Sequence, residues 1–72
     1  MTTNQKKSIL RKAGVTFYMQ GGSVIRSAYS PVMETNLTQP MHYSVTSIAQ
    51  AVSVTWDNPD LQDHLKQLGL VS

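Results

Sequence analysis

The sequence contains no cysteine, which excludes disulfides and any zinc or iron–sulfur site held by thiolates. Its two histidines, His42 and His64, are too few to close a zinc site without carboxylates. No apolar h-region follows Met1, and no run approaches the roughly 20 apolar residues that a membrane span needs. The expectation is a soluble, cytoplasmic protein without a secretory signal. Without such a signal, the match of Asn36–Thr38 to a glycosylation sequon carries no weight. A Gly-x-Ser-x-Gly turn is also missing, so the many serines have no nucleophile elbow to sit on. Gly21-Gly22-Ser23 lacks the flanking spacing and the lysine of a phosphate loop. Neither an internal repeat nor a low-complexity tract is present. Together these absences predict a protein that is not an enzyme and that uses no cofactor and no metal.

What remains is one small domain of 72 residues. A chain of this length buries only about 60% of the surface its unfolded form exposes, so its core must be efficient or a partner must help. Net charge is +2, but it is unevenly spread: Lys6, Lys7, Arg11 and Lys12 lie in the first 14 residues with no acid among them. The remainder sets Arg26 and Lys66 against Glu34, Asp57, Asp60 and Asp63, and no charge at all lies between Glu34 and Asp57. A basic N-terminal end on a slightly acidic body fits an anionic partner, either nucleic acid or an acidic protein patch. The same residues also fit a solvated helix face that aids solubility.

Along the chain, "QKKSILRKAG" places Ile9, Leu10 and Ala13 on one side and stacks Lys7 with Arg11 at i,i+4. Gly14 is predicted to cap this short helix in a left-handed conformation, with Leu10 and Val15 in contact across the cap. A basic helix this short is marginal by itself, so residues 1–14 are read as a helix or as an arm that orders on binding. "VTFYMQGGSVIRSAY" carries the strongest fold signal, two β-rich runs around the Gly-Gly of a type I′ hairpin. That turn opposes Met19 with Val24, Tyr18 with Ile25, Phe17 with Arg26 and Val15 with Ala28. One face then holds Val15, Phe17, Met19, Val24 and Ala28 and is assigned to the core, with Arg26 able to lie across the Phe17 ring. The other holds Thr16, Tyr18, Gln20, Ser23, Ile25 and Ser27. Because an isolated hairpin is not stable, something must cover the core face, and a third strand or a partner is expected at the edge.

Residues 30–43 carry Pro31 and Pro40 with little periodicity, and are predicted as a long loop with a short strand near Val32 and Met33. Val45, Ile48, Ala49, Val52 and Trp56 follow helical spacing, with Ser44 as the expected N-cap, although the β-branched content leaves a strand over "VSVTW" as the alternative. "WDNPDLQDHLKQLGL" specifies a complete helix. Asn58 precedes Pro59 at the first helical position, Asp60 and Asp63 face the positive end of the dipole, and Gly69 ends it. Leu61, Leu65 and Leu68 form one stripe. Asp60 and Asp63 beside His64 could orient an imidazole or weakly hold a metal, but a surface histidine in a local acid pair is the commoner arrangement.

The segment from Ser47 to Leu70 resembles a helix-turn-helix, with Ile48-Ala49 as the apolar-small pair of the first helix and "LQDHLKQLG" as the recognition helix. "TWDNP" is longer than the usual turn, and Asp60 and Asp63 would meet phosphate. In size, lack of cysteine and catalytic groups, and a cationic end, the chain as a whole resembles small bacteriophage-type regulators that bind a host machine such as RNA polymerase. That resemblance implies a protein partner held by surface complementarity.

The reading is therefore an α+β domain: a basic N-terminal helix or arm, a Gly-Gly hairpin, a long loop, and one or two C-terminal helices packed on the sheet. Its expected function is non-enzymatic regulation through a protein partner, with Lys6, Lys7, Arg11 and Lys12 steering the encounter and Tyr18, Ile25 and Arg26 as anchors. A DNA-binding helix-turn-helix regulator and a self-associating accessory subunit are the alternatives.

Overall fold

The computed structural model describes residues 1–72. In chain order the elements are α1 (Thr3–Lys12), β1 (Val15–Gln20), β2 (Ser23–Ser30), β3 (Thr35–Pro40), α2 (Ile48–Trp56) and α3 (Pro59–Gln67). The strands form one antiparallel sheet in the order β1-β2-β3, and α1 and α2 pack on one side of it. The architecture is α+β with helices on the sheet, as the sequence predicts.

α1 begins earlier than its apolar spacing suggests because Thr2 and Gln5 form a capping box. The Gln5 N–H donates to Thr2 Oγ1 at 3.2 Å, and the Thr2 N–H donates to Gln5 Oε1 at 2.8 Å. Arg11 and Lys12 occupy the last turn, where positive charge opposes the helix dipole favourably. Gly14 stops the helix at φ +85, and its N–H donates to the Arg11 carbonyl at 3.0 Å. The Gly14 carbonyl in turn accepts from the Tyr29 N–H at 3.0 Å, so the cap is also the first rung of the sheet.

Gly21 and Gly22 turn the first hairpin at φ 57 and 81, both in the region a type I′ turn requires. The resulting register pairs Met19 with Val24, Tyr18 with Ile25, Phe17 with Arg26 and Val15 with Ala28, as the turn dictates. The 30–43 stretch departs from expectation. Instead of a loop with a strand at Val32 and Met33, these residues lie in a tight turn, and Thr35–Pro40 form β3 against β2, pairing Ala28 with Leu37 and Ile25 with Pro40. Glu34 completes that turn at φ 55. β3 touches only β2, and every residue in it is exposed on both faces, so no hydrophobic alternation marks it in the sequence.

α2 is a helix, but Ser47 caps it rather than Ser44. The Gln50 N–H donates to Ser47 Oγ at 3.2 Å, and the Gln50 side chain reaches back to accept from the Thr46 N–H at 2.9 Å. Ser44 has no such glutamine three residues on, and is instead engaged with His42 Nδ1 at 2.7 Å. Asn58 caps α3 through Asp60 N–H at 2.9 Å, and the Leu70 N–H returns to the Leu65 carbonyl at 2.9 Å. The leucine stripe divides: Leu65 is fully buried, Leu61 partly so, and Leu68 is 49% exposed.

One core holds these parts together: Leu10 from α1, Val15 and Phe17 from β1, Val24 from β2, Ala51 and Val52 from α2, and Leu65 from α3. Met19, assigned to this face from the hairpin pattern, is 47% exposed, because the helices reach only part of the way along the hairpin. Thr55 lies among these apolar groups with its hydroxyl buried and unpartnered.

Two stability predictions follow from this packing. A Cβ added at Gly14 would stand 3.3 Å from the Tyr29 Cβ, whereas one at Gly69 meets nothing within 4 Å. Gly14→Ala should therefore cost about 1 to 2 kcal/mol from the backbone alone, and more in total than Gly69→Ala. Equal losses in urea unfolding would show that the Tyr29 contact contributes nothing. Thr55→Val removes a hydroxyl without a partner and should leave stability unchanged or raise it by about 1 kcal/mol in the same assay.

Candidate functional site

Side chains alternate across a strand, so the register sorts the sheet into two faces. The face turned away from the helices carries Thr16, Tyr18 and Gln20 from β1, Ser23, Ile25, Ser27 and Tyr29 from β2, and Asn36, Thr38 and Pro40 from β3. None of these residues is buried and none is charged. Tyr18, Ile25 and Pro40 line up across the strands as one apolar row, followed by a row of hydroxyls from Thr16, Ser27 and Thr38. Tyr29 closes the far end beside Gly14 and Asn36. Tyr18 is 40% exposed and Tyr29 53%, and four residues of strand separate them by about 13 Å.

Tyr18 and Ile25, nominated as anchors, thus share a face and form adjacent partners on it. Arg26 does not join them. Its position in β2 is one residue out of phase, on the helix side, where its guanidinium donates to Gln39 Oε1 at 3.1 Å rather than lying over Phe17. Tyr29 and Pro40 were missed. For Tyr29 the signal was available, since the same two-residue alternation that selects Ile25 selects it.

The four N-terminal cations also separate. The Lys6 ammonium sits 5.9 Å from the centre of the Trp56 ring, drawn towards α2. Lys12 is exposed and lies apart from the cleft residues. Lys7 and Arg11, one turn apart, line a cleft of about 390 Å³ between α1 and β1, together with Asn4, Ser8, Val15, Thr16 and Phe17. The Asn4, Lys7, Ser8 and Arg11 spacing is a single face of α1.

α2 and α3 are joined by Asp57 and Asn58 alone, a tighter connection than the sequence suggested. α3 exposes Asp60, Asp63 and His64, with no hydrogen bond from the imidazole to either carboxylate. No cluster of three or more histidine, cysteine, aspartate or glutamate side chains is arranged to hold a metal ion. No helix is long and apolar enough to cross a membrane. Compared with protein-family models, with characterised proteins and with solved structures, the chain shows no match.

The division among the cations predicts unequal effects on stability. Lys6→Ala should cost roughly 0.5 to 1 kcal/mol through loss of the Trp56 contact, while Lys7→Ala and Arg11→Ala should stay within about 0.5 kcal/mol of the parent. Unfolding followed by the fluorescence of Trp56, the only tryptophan, reads all three. A Lys6 variant indistinguishable from the other two would show that the contact is idle.

Proposed function

We propose that this protein is a small non-enzymatic regulator that binds a protein partner through the uncovered face of its sheet. The observation that carries this reading is an entire sheet face with no charge, no covering helix, and exposed aromatic and apolar side chains held in fixed rows. Tyrosines supply contact area and a hydroxyl at small entropic cost, and such rigid anchors surrounded by short polar side chains are characteristic of protein interfaces. Tyr18 and Ile25 are the central anchors, Tyr29 and Pro40 extend them, and the hydroxyl row lies between the two tyrosines. A bacterial transcription machine such as RNA polymerase is the partner suggested by the chain's general character, and Lys7 and Arg11 would steer an acidic surface towards it.

DNA readout through α3 is less well supported. That helix turns Asp60 and Asp63 outward, where they would repel phosphate, and the open sheet face offers no cation to a nucleic-acid backbone.

The test is capture from bacterial lysate with and without nuclease at two salt concentrations, using the parent protein and the Tyr18→Ala, Ile25→Ala double variant. A defined protein retained after nuclease by the parent and lost by the folded double variant supports the reading. Equal retention by both overturns the assignment of this face. Recovery that vanishes with nuclease or moderate salt overturns the protein-partner reading in favour of nucleic acid. Circular dichroism of the variant checks that the fold survives.

A further inference from the structure

A free edge of the sheet, β1, lies beside the basic helix α1. The Tyr29 N–H bond to the Gly14 carbonyl fixes the phase of the β1–β2 ladder. In an antiparallel pair, residues alternate between exchanging backbone bonds with the neighbour and turning those groups away. Gly14, Thr16, Tyr18 and Gln20 therefore bond to β2, while the N–H and C=O groups of Val15, Phe17 and Met19 point out of the free edge. No backbone bond formed outside the helices and ladders involves any of these three. The cleft lined by Lys7 and Arg11 lies along this same stretch, since Val15, Thr16 and Phe17 form its other wall.

We propose that the β1 edge and the Lys7/Arg11 face of α1 together bind an extended acidic segment of the partner protein as a fourth, antiparallel strand. The inference rests on the protein-partner reading above and names the chemistry of the segment recognised. Backbone bonds to Val15, Phe17 and Met19 supply the affinity common to any added strand. Charge supplies the selection. Lys7 and Arg11, four residues apart on a helix, are spaced about 6 Å along its axis, close to the about 6.7 Å between alternate residues of a strand. A strand laid against β1 turns every second side chain towards α1, so an acid-x-acid pattern places a carboxylate opposite each cation. The intervening residues fall on the other face, beside Thr16 and Tyr18, where apolar side chains extend the open surface. The same cations repel a basic strand and give a neutral one no added attraction, which makes them a filter against basic segments as well as an attraction.

The probe is a capped pentapeptide of alternating glutamate and valine, titrated into the full chain and followed by amide NMR and hydrogen exchange. Saturable binding with new protection of the Val15, Phe17 and Met19 amides is expected. Lys7→Glu combined with Arg11→Glu, both on an exposed helix face, should weaken it by about tenfold or more. An analogue N-methylated on its glutamates keeps every charge but loses the N–H groups that donate to the Val15, Phe17 and Met19 carbonyls and places methyl groups against the edge, and should weaken similarly. No binding, equal binding of a lysine-valine peptide, or undiminished binding of the N-methylated analogue overturns the proposal. So does an oligothymidylate that binds the same residues more tightly, which would make the cleft a nucleic-acid groove. If the lysate partner is retained by the Lys7→Glu, Arg11→Glu variant yet lost by the Tyr18→Ala, Ile25→Ala variant, the edge proposal fails while the regulator reading stands.

Discussion

The junction at Gly14 is the constraint on which the other surfaces depend. A single residue at φ +85 ends α1, reverses the chain and offers its carbonyl to Tyr29. An ordinary side chain there would be strained by the backbone and crowded against the Tyr29 Cβ. With the reversal in place, Leu10 is delivered to the core alongside Val15 and Phe17, and the phase of the first ladder is set. That phase decides which backbone groups of β1 are satisfied and which face outward. It also decides that Tyr18 and Ile25 lie on the side away from the helices.

A chain with so few buried residues can cover only one side of its sheet. Leu10, Ala51, Val52 and Leu65 meet Val15, Phe17 and Val24, and nothing is left to cover the opposite face. The exposed face is kept soluble by short hydroxyl and amide side chains rather than by charge. Most of the charge lies elsewhere, on α1 at the flank and on α3, with Arg26 on the helix side of β2, Glu34 in the turn before β3 and Asp57 between the last two helices. The two surfaces meet along β1, so a partner strand at the edge would be continuous with contacts on the open face.

Much of the fold was legible because several elements are specified locally. Gly21-Gly22 set the hairpin register in full, and Asn58, Pro59 and Gly69 bounded α3. The sequence failed where burial, rather than propensity, would have been the signal. β3 reads "TNLTQP" and is exposed on both sides, so it has no alternation to detect, and its Pro40 pointed to a loop. Ser44 was expected to cap α2, but the cap is Ser47, whose hydroxyl accepts from the Gln50 N–H while the Gln50 side chain accepts from the Thr46 N–H. In the candidate site, Tyr18 and Ile25 followed from the turn, whereas Arg26 was grouped with them against its own alternation. Lys7 and Arg11 were recognisable as a pair, but their cleft required knowing that α1 folds back beside β1.

The isolation of β3 from the helices has a consequence for how the molecule opens. Detaching any other element uncovers part of the shared core, but β3 is held by its ladder with β2 alone. It is also held unevenly. At its end, the Met41 N–H bonds to the Val24 carbonyl at 2.9 Å and the half-buried Met41 side chain rests on the core, while at its start the turn bearing Val32 and Met33 is fully exposed. The strand is therefore the element whose detachment uncovers least of the core, and local opening is expected to begin at its exposed turn rather than at Met41. Such an opening would expose the β2 edge from Ser30 inward and release Asn36 and Thr38 before Pro40, so the breadth of the open face depends on the attachment of this one strand.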